Sequence, residues 1–175
     1  MALQLGLEGD RLMATVKFKK GDEYLGKIAK LEAMTRHEIC GSAIYGAAEI
    51  VADEIRSQLQ KVQTDESWGG PDHETKGPRK AQKQGLYESL GIASIQQDRN
   101  GLLNVKIGFD GYNKLKSKRW PKGQPNQMVA RSVERGTVYM KGHKFVKKAM
   151  SRTRKRALDF MKESVDKSIE EIMKG

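Results

Sequence analysis

Few residues in this chain stand at spacings that catalysis or metal binding uses. The three histidines, His37, His73 and His143, are scattered. No two of them have the i, i+4 spacing that lets one helix face hold a metal ion. Cys40 is the only cysteine, so no internal disulfide and no cysteine-based zinc site can form. It lies beside Gly41 in a run of small residues, where it reads as a small core residue rather than a nucleophile. No serine has the context of a nucleophile elbow, and no G-x-x-x-x-G-K-[ST] phosphate loop occurs. Asp110 and Glu134 could be imagined as acid and base, but nothing in the sequence places them together. The expectation is a protein that is not an enzyme and needs no cofactor or metal.

The chemistry left over is electrostatic. The formal net charge is +11, from 33 Lys and Arg against 22 Asp and Glu, which favours an anionic neighbour. The cations cluster. Lys76, Arg79, Lys80 and Lys83 form one group, and Lys114, Lys116, Lys118, Arg119 and Lys122 a second. A third runs from Lys141 to Arg156 without an acidic residue, and includes Lys147, Lys148 and Arg152. Trp68 and Trp120 interleave with them, as aromatics do on nucleic-acid surfaces. No helix-turn-helix, zinc finger or aromatic RNA-binding pattern is visible. The second cluster, with Lys147, Lys148 and Arg152, is therefore read as a non-specific contact for DNA or an acidic protein surface.

The elements that must carry these groups follow from periodicity. A chain of 175 residues suits a single domain spanning 1–175. A hydrophobic fraction of 37% and a mean hydropathy of −0.69 give it a lean core. Such a core suggests an elongated shape, or apolar faces completed by copies of the chain. No signal-type leader and no run of about 18 apolar residues occurs, so the expectation is a soluble protein made in reducing cytoplasm, with no membrane partner. Leu12–Lys19 alternates as a half-buried strand, and a helix is predicted from Glu23 to Met34. A longer helix follows from about Arg36 to Val62. Its small residues, Gly41, Ala43, Gly46, Ala47 and Ala48, predict close packing on a sheet or a neighbouring subunit.

Residues 63–84 lose all periodicity and read as a long loop. Ile92–Gln97 and Leu103–Phe109 flank an Asn100-Gly101 turn and predict a β-hairpin. Residues 110–127 form a second long loop. Val129 and Val133 share a helical face that ends at Gly136, where positive φ is needed. A closing helix from about His143 to Met173 carries its cations early and its anions late, against its own macrodipole. The fold class expected is α+β, a small antiparallel sheet with a hairpin packed against two long helices.

Two short motifs in this order of elements resemble the tail-completion or neck proteins of long-tailed DNA phages, also described as head–tail joining or minor tail components. Gly85-Leu86-Tyr87-Glu88-Ser89 matches the first motif, with Gln84 in place of the usual threonine. Val133-Glu134-Arg135-Gly136-Thr137 matches the second, and Phe145 with Ala149 the following P-F-x-x-x-A. The likeness covers roughly Phe18 to Met173. Arg135 stands in place of the usual aromatic and Lys144 in place of the proline. The resemblance implies a structural virion protein of the neck or tail, forming a ring with itself, commonly a hexamer. Its neighbours would be head-connector or stopper proteins and tail-terminator or tail-tube proteins, with double-stranded DNA passing through the lumen. A basic non-specific nucleic-acid-binding protein is the alternative.

Overall fold

The computed structural model describes residues 2–8, 11–17, 38–67 and 69–174. The helix predicted over 23–34 and Trp68 lie outside these residues. The chain has an α+β fold, with four helices and four two-stranded antiparallel ladders among the described residues. β1 (Ala2–Glu8) pairs with β2 (Arg11–Lys17) along its whole length. β2 is the strand that alternation predicts; its partner was not anticipated from the sequence.

α1 (Cys40–Gln60) packs antiparallel against the closing helix α4 (Phe145–Lys174), the most extensive helix pairing in the fold. Gly46 lies under the Phe160 ring, and eight residues later Glu54 faces Arg152 at 3.7 Å, which fixes the opposed direction. Ala43, Ala47, Ala48 and Ala52 are buried. Most of the small residues of α1 thus admit α4 of the same chain, while Gly41 packs against Ile95, which lies in the segment 90–109 that forms the predicted hairpin. The physical reason is that Ala and Gly shorten the distance at which two helices can pack, whichever element supplies the partner.

β3 (Leu90–Ile92) pairs with β6 (Ile107–Phe109), and β4 (Gln96–Gln97) with β5 (Leu103–Asn104). They are one hairpin interrupted by a bulge. Ile92 faces Ile107, but Gln96 faces Asn104, so three residues stand against two and the ladder breaks between them. At the tip Gly101 has φ 79° and the Asp98 carboxylate accepts the Asn100 and Leu102 amides, as the Asn-Gly signal leads one to expect. The predicted sheet is thereby split into short ladders.

Both predicted loops are shorter than their polar composition suggested. α2 (Lys80–Ser89) takes the end of the first, and α3 (Asn126–Arg135) begins inside the second. α2 buries only Gly85 and Leu86, so its sequence carries no apolar stripe from which to recognise a helix. After α3, β7 (Gly136–Thr137) pairs with β8 (Met140–Lys141) in a small hairpin that leads into α4.

The core gathers at the end of α1 and the start of α4. Leu59, Leu86, Val133 and Phe145 are each less than 2% exposed there, together with Ile55, Leu90, Val129 and Ala149. Burying such side chains stabilises the fold by roughly 1.5–3 kcal/mol apiece. All four ends of α1, α2, α3 and α4 nearest this core are thereby fixed in position. No described helix is long and apolar enough to cross a membrane.

Candidate functional site

The corner between α3 and α4 is built from the second motif. Gly136 ends α3 with φ 87° and ψ 175°, a region that essentially only glycine occupies. The chain then turns through β7 and β8, and the His143 and Lys144 amides donate to the Val133 and Glu134 carbonyls at 2.9 and 3.1 Å. These bonds satisfy the orphan carbonyls at the end of α3.

α4 begins without a capping side chain of its own. Lys144 precedes its first residue and has no acceptor to offer the exposed amides. Glu134 supplies it from α3: its carboxylate accepts the Val146 amide at 2.8 Å and the Lys147 amide at 3.1 Å. These are the second and third amides of the helix, where a local cap would bind, and the negative charge meets the positive end of the macrodipole. The partner of Glu134 is thus a helix end and not a basic side chain. Lys144 has φ 53°, which proline's ring forbids, so the corner departs from the proline-bearing motif in its backbone as well as its sequence.

We expect Glu134→Ala to lower stability by roughly 1–3 kcal/mol, since it removes a charged double acceptor from a partly buried helix end. Glu134→Gln, which keeps one acceptor, should lose less. Urea denaturation of the three proteins checks this; equal midpoints would remove the cap from the account.

The first motif lies on α2. Gly85 lies under the Asn113 side chain, and a Cβ there would come 2.6 Å from Asn113 Nδ2. Leu86 is in the core, and the Ser89 carbonyl accepts the Asp110 amide at 3.0 Å. Asn113 and Asn126 are buried and hold the second loop in place. Asn113 Nδ2 donates to the Gln82 carbonyl and the Asn126 side chain, and Asn126 Nδ2 donates to the Asp110 carbonyl at 2.8 Å. Sequence reasoning passed over both asparagines. In a polar stretch nothing marks the one Asn that will be buried, because its partners are backbone groups brought there by the fold.

The first loop is tied down by Asp65. Its carboxylate accepts the Ser67 amide and hydroxyl and the Lys76 amide, the last at 3.0 Å across eleven residues. Thr75 extends the hold: its amide and hydroxyl both donate to the Tyr139 carbonyl. The Lys76 amide, followed by the Ser67 bonds, lowers the Asp65 pKa from its ordinary 3.8 to about 2. A depressed carboxylate stabilises the folded loop above its unfolded pKa and loses that contribution as pH falls through about 2. The chemical shift of the Lys76 amide proton should therefore follow the Asp65 titration with a midpoint near 2 by NMR; a midpoint near 4 would mean an unbonded carboxylate.

The two loops and the β7–β8 hairpin meet around a cleft of about 340 Å³. Ser67 and Pro78 line it from the first loop, Lys116 and Trp120 from the second, and Thr137 and Tyr139 from the hairpin. Around it the second cationic cluster is exposed: Lys114, Lys116, Lys118, Arg119 and Lys122. Lys114 pairs with Glu88 at 3.2 Å, and the Arg119 guanidinium stands 6.0 Å from the Trp120 ring centre. Lys147, Lys148 and Arg152 are exposed on α4, with Arg152 facing Glu54. Lys83 is different. Its ammonium donates to the Gln60 and Val62 carbonyls at 2.7 Å, closing the end of α1, so it serves the fold and not a partner.

Asp110 and Glu134, the pair imagined as acid and base, are each engaged with backbone amides, and His73 shares the Ser67 hydroxyl with Asp65. His73 Nε2 is bonded to the Ser67 hydroxyl at 2.7 Å, and His143 lies at the corner, where burial lowers its pKa. Asp110 accepts its neighbour's amide, while Glu134 is occupied at the helix end. Among the described residues no group of His, Cys, Asp and Glu could hold a metal ion. Comparison with protein-family models, with curated proteins and with solved structures finds no match for this chain.

Proposed function

We propose that the protein is a structural component of a phage neck or tail, completing the tail and joining it to the head as one subunit of a ring around the DNA channel. The observation that carries this reading is the tethering of both long loops. Asp65 holds the first loop together and Thr75 ties it to the Tyr139 carbonyl of the corner. Asn113 and Asn126 hold the second loop against α2, so the two loops form one ordered surface beside exposed cations. An ordered loop surface suits docking against neighbouring rings, and a corner held by backbone and Glu134 bonds suits a rigid joint. In this reading the partners are other copies of the chain, head-connector or stopper proteins, and tail-terminator or tail-tube proteins, with DNA passing through the lumen. Lys114, Lys116, Lys118, Arg119, Lys122, Lys147, Lys148 and Arg152 would meet DNA or acidic protein surfaces. A ring needs two different contact surfaces on each subunit, and closure sets the copy number.

Hydrogen exchange over residues 63–79 and 110–125, in assembled particles and in the free subunit, tests the reading. Assembly should slow exchange in both loops; equal exchange in the two states would sink it. The second reading, a basic nucleic-acid-binding protein, is favoured by the placement of Arg119 beside Trp120 on the cationic loop. It predicts that the monomer shifts duplex DNA at physiological ionic strength, with a steep loss as salt rises.

A further inference from the structure

A groove of about 700 Å³ runs along the first half of α4, on a face that α1 leaves open. Its apolar surface comes from Val51 of α1 and from Val146, Met150, Ala157 and Leu158 of α4. Met150 is 59% exposed and Leu158 53%, so two large apolar side chains face solvent eight residues apart on one helix face. Single exposed apolar residues need no explanation, but a row of them at helical spacing beside a wall marks an interaction surface. The second observation is charge. Lys147 and Arg154 line the groove, and no acidic side chain does except Glu134, whose carboxylate oxygens are already taken by the Val146 and Lys147 amides. The groove therefore interleaves apolar and cationic side chains: Arg154 stands one helical turn after Met150 and one before Leu158.

We propose that this groove receives an amphipathic helix of another protein, with an apolar stripe against Met150 and Leu158 and carboxylates against Lys147 and Arg154. Between Val146 and Met161 the groove extends about 22 Å, the length of roughly four helical turns. Val51 makes the surface concave, which fits the convex ridge of a helix better than a flat membrane. The cations that oppose the macrodipole at the start of α4 gain acidic partners in this arrangement, which Glu134 alone does not give their side chains. This surface lies on α4 and does not depend on the loops or on ring formation.

The test uses the full chain and a labelled helical probe of about 16 residues, with leucines at i, i+4, i+7 and i+11 and glutamates at the flanks. An isomer with lysines in place of the glutamates is the control. Fluorescence anisotropy should show saturable binding of the acidic probe, weakening with salt, and at least about tenfold weaker binding of the lysine isomer. Met150→Glu and Leu158→Glu should each weaken the acidic probe by about tenfold or more, with unchanged thermal unfolding because both sites are exposed. Arg154→Glu should narrow or invert the preference between the two probes. Equal binding of both probes, or binding indifferent to Met150→Glu, overturns the proposal. So does a dimer in sedimentation that Met150→Glu dissociates, which would assign the groove to a second copy. Binding to anionic lipid vesicles that Met150→Glu abolishes would likewise overturn it in favour of a membrane surface.

Discussion

Replacing Gly136 with valine should unfold the corner, lowering stability by about 3 kcal/mol or more. Two effects add. The backbone at φ 87° and ψ 175° is strained for any residue with a Cβ, and most of all for a β-branched one. A Cβ there would also come 2.7 Å from the Gly142 amide nitrogen and from the Met140 carbonyl oxygen. Both atoms are backbone, and Gly142 is itself packed against the Arg135 carbonyl, so neither side has room to give. Gly136→Ala should fall between the wild type and the valine variant. Urea midpoints would show this order. If Gly136→Val had the wild-type midpoint, neither the strain nor the close approach could hold the corner.

Phe145→Ala should cost about 3–5 kcal/mol, a large part of the 5–15 kcal/mol typical of a whole domain. Phe145 is 1% exposed and meets the Phe109 ring edge-on, with centres 6.0 Å apart and planes at 65°. It thereby joins the hairpin to the start of α4, and it lies in the same cluster as Leu59, Leu86 and Val133. Truncation leaves a cavity where three elements meet, and rigid elements on each side limit how far it can collapse. Met150→Ala, five residues along the same helix, is the control: that side chain is mostly in water, and its loss should change stability by about 0.5 kcal/mol or less. Similar losses for the two variants would mean that the core is not centred on Phe145.

Where a residue's own covalent structure dictates its place, the sequence was legible. Gly136 announced a positive φ, and Asn100-Gly101 announced a turn that the fold contains. The long helices were legible because three- and four-residue apolar spacing extends over many turns, so α1 and α4 could be recognised within a few residues of their ends. α2 was not, because a helix that buries only Gly85 and Leu86 has no stripe to reveal it. The hairpin was legible, yet its bulge was not, since one extra residue in a strand leaves the alternation on either side nearly intact.

The candidate site divides along the same line. Composition and spacing determined the α+β class, the cationic clusters and the motif corner, because each depends on which residues are present and how near they are in the chain. Tertiary structure decided what those residues do. Glu134 caps a helix twelve residues ahead of it, Lys83 closes a helix more than twenty residues behind it, and Asn113 reaches back to the Gln82 carbonyl across thirty-one. A charge or an amide in the sequence carries no address for its partner. Only when α1, α2, α3 and α4 pack around one core do their ends come within hydrogen-bond reach, and that packing separates the cations that hold the fold from those that remain to meet another molecule.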